Sequence, residues 1–223
     1  TKKGYTFIGW FTEETNGTEI TTSTLVQTEK MHQIYAHYKP NEYTITFNAG
    51  YGTVEPLTKK VEYEGTYGLL PEATRDGYLF TGWYTENDEE IIPEKKYTLT
   101  DNITLYAKYS KDAYKVTFDP NGGEISQNDK TVTFDEKYGE LPKPILNGYT
   151  FGGWYTNDSW TNQITENTTV ATASNHTLIA KWNVNTYTVH YDANEGTVNP
   201  EFKEVPFAGK YGELATPTRT GYT

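Results

Sequence analysis

Cysteine is absent from all 223 residues, and with it go disulfides, thiolate nucleophiles and zinc–thiolate sites. Methionine occurs once, and no run of 18 apolar residues is available to cross a membrane as a helix. Basic residues are in deficit, with 19 Lys and Arg against 30 Asp and Glu, for a net charge of −11. A surface of that sign repels phosphate backbones and anionic lipid, which argues against nucleic acid and membrane insertion or adsorption. It suits a soluble, self-repelling, extracellular surface. The strong helix formers Ala, Leu and Met are scarce, so long helices are not expected. No secretory leader pattern opens the sequence, and the expectation is that an exported protein carries this stretch internally.

What is abundant is aromatic: 20 Tyr, 9 Phe and 5 Trp. Tyr and Thr favour strands, and aromatics at regular intervals bury enough area to exclude disorder. The intervals come from a repeat. Gly-Tyr followed by Gly-Trp occurs at Gly4–Trp10, Gly77–Trp83 and Gly148–Trp154, and Gly221-Tyr222 begins a fourth copy. The glycines at 4, 77, 148 and 221 are 73, 71 and 73 residues apart. Two further landmarks keep the same spacing. One is Tyr-Gly at Tyr67, Tyr138 and Tyr211. The other is a closing strand at Gln33–Tyr38, Leu105–Tyr109 and Leu178–Trp182.

Within each copy, alternation predicts the strands. Tyr43, Ile45 and Phe47 share one face and Thr44 and Thr46 the other, a pattern renewed at Tyr114–Phe118 and Tyr187–Tyr191. Gly50-Tyr51-Gly52, Asn121-Gly122-Gly123 and Asn194-Glu195-Gly196 follow as hairpin turns. A return strand at Val61, Val132 or Val205 is expected at a sheet edge, because Pro206 cannot donate to a ladder. A Pro- and Gly-punctuated crossover then leads to the Gly-Tyr…Trp strand and the closing strand, making four strands per unit. Ile20 and Val26, Ile92 and Leu99, and Ile164 and Val170 are expected to anchor the intervening loop.

No catalytic constellation emerges. His32 and His176 align with Ile103, His37 with Lys108 and Lys181, and His190 with Thr46 and Thr117, so no acid–base partner recurs beside them. Asp119–Glu124 lacks the alternating oxygen ligands of a calcium loop and reads as a hairpin turn. The expectation is no enzyme, no metal and no cofactor. The recurring aromatics Trp10, Trp83, Trp154, Tyr5, Tyr78 and Tyr149 are expected in repeat cores, with platforms for a partner as the alternative. Trp160 has no counterpart in other copies and is the candidate partner contact.

The ordered set of motifs, from strand and Asn-Gly-Gly turn through Tyr-Gly and Gly-Tyr-x-Phe-x-Gly-Trp-Tyr to Leu-x-Ala-Lys-Trp, resembles the Listeria–Bacteroides repeat, the B-repeat of internalin-type surface proteins. The resemblance covers essentially the whole chain. It implies a mainly β fold of small β-grasp-like domains in an elongated tandem array, with the crossover helix reduced to a turn. Its frame divides the chain into a carboxy-terminal half-repeat (1–42), complete repeats at 43–113 and 114–185, and an amino-terminal half-repeat (186–223). A permuted frame, near 1–73, 74–144 and 145–217, stays open. Because a half-unit exposes a strand edge and half a core, each terminal half is expected to be completed by something. The implied setting is a bacterial cell surface, wall-attached through regions outside this stretch. The implied role is a stalk contacting neighbouring domains of the same protein. Adhesive binding to a host protein or glycan is the alternative.

Overall fold

The computed structural model describes residues 1–222, and among them are fifteen strands and no helix. Two compact units divide after Ser110, Thr1–Ser110 and Lys111–Thr223. The first opens with β1 (Tyr5–Phe11), β2 (Glu19–Ile20) and β3 (Tyr35–Pro40), an antiparallel sheet in the order β2-β1-β3. It continues with β4 (Glu42–Asn48), β5 (Thr58–Glu62), β6 (Tyr78–Tyr84), β7 (Glu90–Ile91) and β8 (Ile103–Lys111), ordered β5-β4-β8-β6-β7. The second compact unit repeats that five-stranded order as β10-β9-β13-β11-β12. Its strands are β9 (Ala113–Asp119), β10 (Asp129–Thr133), β11 (Tyr149–Tyr155), β12 (Gln163–Ile164) and β13 (His176–Val184). The two-stranded hairpin β14 (Thr186–His190) and β15 (Phe202–Pro206) closes it.

A whole repeat therefore has five strands where four were expected. The extra strand is the two-residue β7 or β12, which pairs Ile91 with Trp83 and Ile164 with Trp154. It also corrects two loop anchors. The loop after Trp83 is two residues shorter than the loop after Trp154, so Ile91 and Tyr97 are the buried counterparts of Ile164 and Val170, while Ile92 and Leu99 face solvent. No helix occupies the crossover. Single bridges hold it instead, Thr53 to Thr74 and Thr66 to Lys96 in the first whole repeat.

Alternation works as physical chemistry demands: Ile45 and Phe47 are buried and Thr46 is exposed. The Gly in Gly-Trp marks a bulge, with the register slipping between Phe7 and Gly9 and between Phe151 and Gly153. After the first hairpin strand, an Asx oxygen caps the turn. Asn48, Asp119 and Asp192 each accept the N–H two residues on, at 2.8–2.9 Å. In the middle of each whole sheet the amino-terminal hairpin meets the closing strand in parallel, Ile45 to Ile103 and Phe47 to Leu105, then Val116 to His176 and Phe118 to Leu178. That pairing joins the two halves of a repeat over one core. The first core holds Ile45, Phe47, Val61, Trp83, Tyr97 and Leu105, and the second holds Val116, Phe118, Val132, Trp154, Val170 and Leu178.

The terminal halves lack this closure. In 1–42 the side chains that would face an amino-terminal hairpin stand open, including Phe7, Trp10, Val26 and Ile34. In 186–223 Tyr187, Tyr211 and Leu214 are open in the same way.

Candidate contact surfaces

The tryptophans of the Gly-Trp motif separate by context. Trp83 and Trp154 are each 2% exposed. Trp83 lies 4.8 Å from the Phe47 ring and donates its indole N–H to the Pro71 carbonyl at 2.6 Å. Trp154 repeats this with Phe118 at 5.0 Å and Pro142 at 2.8 Å. Trp10 departs from the core expectation at 46% exposed, because the ring and carbonyl that would cover it belong to the half that 1–42 does not contain. The indole thus reads whether a repeat is closed.

The tyrosines of the Gly-Tyr motif are half-buried rather than core residues. Two of them sit where one repeat meets the next. Tyr5 packs edge-on against Tyr63 at 5.5 Å, and its hydroxyl donates to the Glu64 carboxylate, which pushes the phenol pKa up. Tyr149 packs edge-on against Phe207 at 5.8 Å. Beside them a linker asparagine stitches the backbone. Asn41 N–H donates to the Gly4 carbonyl at 2.9 Å, and the Asn41 carbonyl accepts from Tyr63 N–H at 2.9 Å. Asn185 does the same with Gly148 at 2.9 Å and Phe207 at 2.8 Å. The Asn41 and Asn185 side chains also accept from the Thr6 and Thr150 hydroxyls at 2.5 and 2.6 Å. Tyr78 is stacked under the Arg75 guanidinium, 3.7 Å from its ring centre.

Trp160 is half-buried, so it is less open than a free contact residue. It sits at a φ of 54° with its ring edge-on to Tyr155, 5.4 Å between centres. The histidines do not converge. His37 stacks on Phe11 at 3.9 Å with Nε2 2.9 Å from the Glu13 carbonyl, and His32 and His190 are exposed. His176 meets the buried Tyr138 hydroxyl at 2.7 Å through Nε2, and its Nδ1 lies 2.9 Å from the Ser174 carbonyl. With Nδ1–H donating to that carbonyl, Nε2 accepts from the phenol.

A recurring lysine was missed in the sequence. Lys59 donates to the Tyr67 and Leu69 carbonyls at 2.6 and 2.7 Å, and Lys130 to those of Tyr138 and Glu140 at 2.6 and 2.8 Å. Lys203 reaches the Glu213 carbonyl at 2.5 Å. The ammonium clamps the Tyr-Gly turn from across the edge strand. The signal was available, since these lysines recur in step with the repeat, but a lone Lys on an alternating strand looks like a solvent-facing residue. Lys130→Met is expected to destabilise residues 114–185 by about 1–3 kcal/mol, read from urea unfolding, because two carbonyls lose a charged donor.

Tyr97 supplies a pH dependence. Burial, with smaller contributions from Tyr67, Tyr43 and Asp101, pushes its phenol up to about 12, and its hydroxyl donates to the Asp101 carbonyl. The folded pKa lies above the ordinary 10.0, so this stabilisation is complete below pH 10 and lost as pH rises through 12. Melting of residues 43–113 is expected to fall across that window, and Tyr97→Phe is expected to blunt the fall.

A family model described as the Listeria-Bacteroides repeat domain matches residues 1–37, 43–108, 114–181 and 187–223. The chain belongs to the Listeria-Bacteroides repeat family. Three of the matched segments begin where β4, β9 and β14 lie. Two relatives come from Evansella cellulosilytica. A "Putative Gly-rich membrane protein" is 31% identical over 236 residues, covering 100% of this chain and 25% of its own length. A "Putative membrane protein" is 31% identical over 242 residues, covering 100% of this chain and 34% of its own. Internalin H of Listeria monocytogenes is 36% identical over 138 residues, covering 60% of this chain and 24% of its own length. The Listeria-Bacteroides repeats described here thus span a quarter to a third of the curated relatives they match.

Proposed function

We propose that these repeats form a non-enzymatic stalk in a bacterial cell-surface protein, projecting an adhesive or invasion domain away from the cell wall. The observation that carries the reading is the junction. Asn41 and Asn185 hydrogen-bond to the repeat before and the hairpin after, while a Gly-Tyr edge packs on an aromatic ring. A connection built that way restricts hinge motion, as a spacer requires and a flexible tether does not. The kinship with Internalin H supports a surface setting. Each whole repeat is read as a β-grasp-like sheet in which a bridged crossover replaces the helix. Its order of second, first, fourth and third main strands, parallel in the middle, supports that reading. Small-angle scattering tests the stalk: a maximum dimension that grows by a constant step per added repeat is expected, and a compact particle would count against it. Adhesive binding is the second reading, favoured by Trp160, which stands on Tyr155 with no counterpart in other repeats. Saturable capture of one host protein or glycan by immobilised repeats, abolished by Trp160→Ala, would replace the stalk with that reading.

A further inference from the structure

Two residues before each Gly-Tyr glycine the chain carries Lys2, Arg75, Leu146 and Arg219. In every copy a tight turn holds that residue beside the motif tyrosine, whose N–H donates to its carbonyl. Tyr5 donates to Lys2, Tyr78 to Arg75, Tyr149 to Leu146 and Tyr222 to Arg219, at 3.0–3.2 Å. In three copies the turn lays a cation on the ring. Lys2 Nζ lies 4.0 Å from the Tyr5 centroid, the Arg75 guanidinium 3.7 Å from Tyr78 and that of Arg219 4.4 Å from Tyr222. A cation over an aromatic face is drawn to the negative side of the ring quadrupole. Leu146 puts no charge on Tyr149, and among the described residues no other cation does.

The exchange comes with others that open the space. In 43–113 Arg75 also has Tyr51 at 5.3 Å and Tyr109 at 5.8 Å around it. The counterparts of Tyr51, Tyr78 and Tyr109 in 114–185 are Gly122, Tyr149 and Trp182, so one wall is gone, one is kept and one is larger. What results is a groove of about 700 Å³ whose lining includes Leu146, Tyr149, Phe151 and Trp182. Trp182 is fixed by its indole N–H, which donates to the Pro120 carbonyl at 2.9 Å, and by Phe151 edge-on at 5.7 Å. Glu124 joins the lining where other copies have Thr53 and Thr197. A carboxylate thus enters the groove that lost its cation. Lys143 is exposed on the same rim, where 43–113 has Glu72, and marks the edge an incoming cation must avoid.

We infer that this groove in 114–185 is a binding site for an arginine side chain presented by another protein, its guanidinium lying over Tyr149 and beside Trp182 as Arg75 lies over Tyr78 and beside Tyr109. Glu124 meets the positive charge and the rings meet its planar face. Arginine suits the site better than lysine, because a delocalised guanidinium is weakly hydrated and stacks flat. The inference goes beyond the stalk reading and does not rest on it. A spacer and an adhesin can both carry the site, and Trp160 takes no part in it.

Titration of the 223-residue chain with the blocked peptide Gly-Arg-Gly at low salt, followed by the NMR signal of the Trp182 indole N–H, tests it. A saturable shift in the millimolar range is expected. The citrulline peptide, which keeps the plane and loses the charge, is expected to bind at least about fivefold more weakly. Leu146→Arg supplies the cation that the same turn holds in the other copies, so it should fill the groove and weaken the peptide at least about tenfold. Leu146→Met should leave binding unchanged. The rim charges give an opposed pair: Glu124→Gln should weaken binding and Lys143→Gln strengthen it, each by about two- to fivefold. No saturable shift at Trp182, equal binding of the citrulline peptide, or undiminished binding to a folded Leu146→Arg chain would each overturn the inference. If Leu146→Arg unfolds the repeat, the rim pair decides, and affinities that move in the same direction or not at all overturn it.

Discussion

Trp83→Ala is expected to cost the repeat at 43–113 about 3–5 kcal/mol, while Trp10→Ala at the same motif position costs less than about 1 kcal/mol. The difference comes from context. Trp83 is 2% exposed, packed at a tilt on Phe47 and hydrogen-bonded to the Pro71 carbonyl, so its loss opens a cavity and orphans a part-buried acceptor. Trp10, at 46% exposure, loses contact mainly with Phe7, 5.7 Å away within its own half. Urea unfolding followed by far-ultraviolet circular dichroism checks both. A loss of that size is a large part of the ~5–15 kcal/mol that holds a domain, so the Trp83 variant is expected to unfold its repeat separately from 114–185. Equal costs at the two positions would mean that 1–42 has a closed core in solution.

That contrast shows where sequence stops being legible. The repeat, its strands, its edge hairpin and the turn residues could be read because they are local: a period of two, a Gly-bearing turn, a proline that cannot donate. The residues that recur every 71 or 73 positions were also visible, yet recurrence does not reveal burial. Trp10, Trp83 and Trp154 look identical in sequence, and only the presence of a covering hairpin separates them. Tyr5 and Tyr149 recur for a different reason, as the edge of one repeat placed against the ring of the next. The short strands β7 and β12 escaped because two residues carry no period, and the unequal loops after Trp83 and Trp154 hid that Ile91 rather than Ile92 matches Ile164. Lys59 and Lys130 escaped because their role is to reach across a turn to carbonyls, which leaves no mark on side-chain alternation.

Gly148→Ala is expected to destabilise the junction between 114–185 and 186–223 by about 2–4 kcal/mol, from backbone strain and overpacking together. Gly148 has a φ of 80°, and a Cβ built there would lie 2.1 Å from Cδ1 and 2.2 Å from Cγ of Phe207. Those atoms are the root of the ring rather than a flexible tip, so Phe207 must leave its seat, and the Tyr149 contact at 5.8 Å goes with it. Gly122→Ala isolates the backbone share, since Gly122 has a φ of 90° but nothing within 4 Å of a new Cβ. Its cost should be only about 1–2 kcal/mol. In a Phe207→Ala background the steric part of the Gly148→Ala cost should vanish and the backbone part remain, a coupling that a double-mutant cycle measures directly. Gly4 against Tyr63 has the same geometry, with a φ of 77° and a nearest approach of 2.3 Å, so Gly4→Ala should behave alike. If both variants match Gly122→Ala in cost, the ring is not seated on the glycine and the junction is a loose tether. If both cost more and Phe207→Ala rescues the difference at Gly148, Gly-Tyr recurs in this sequence because the glycine lets the next repeat lie flat against it.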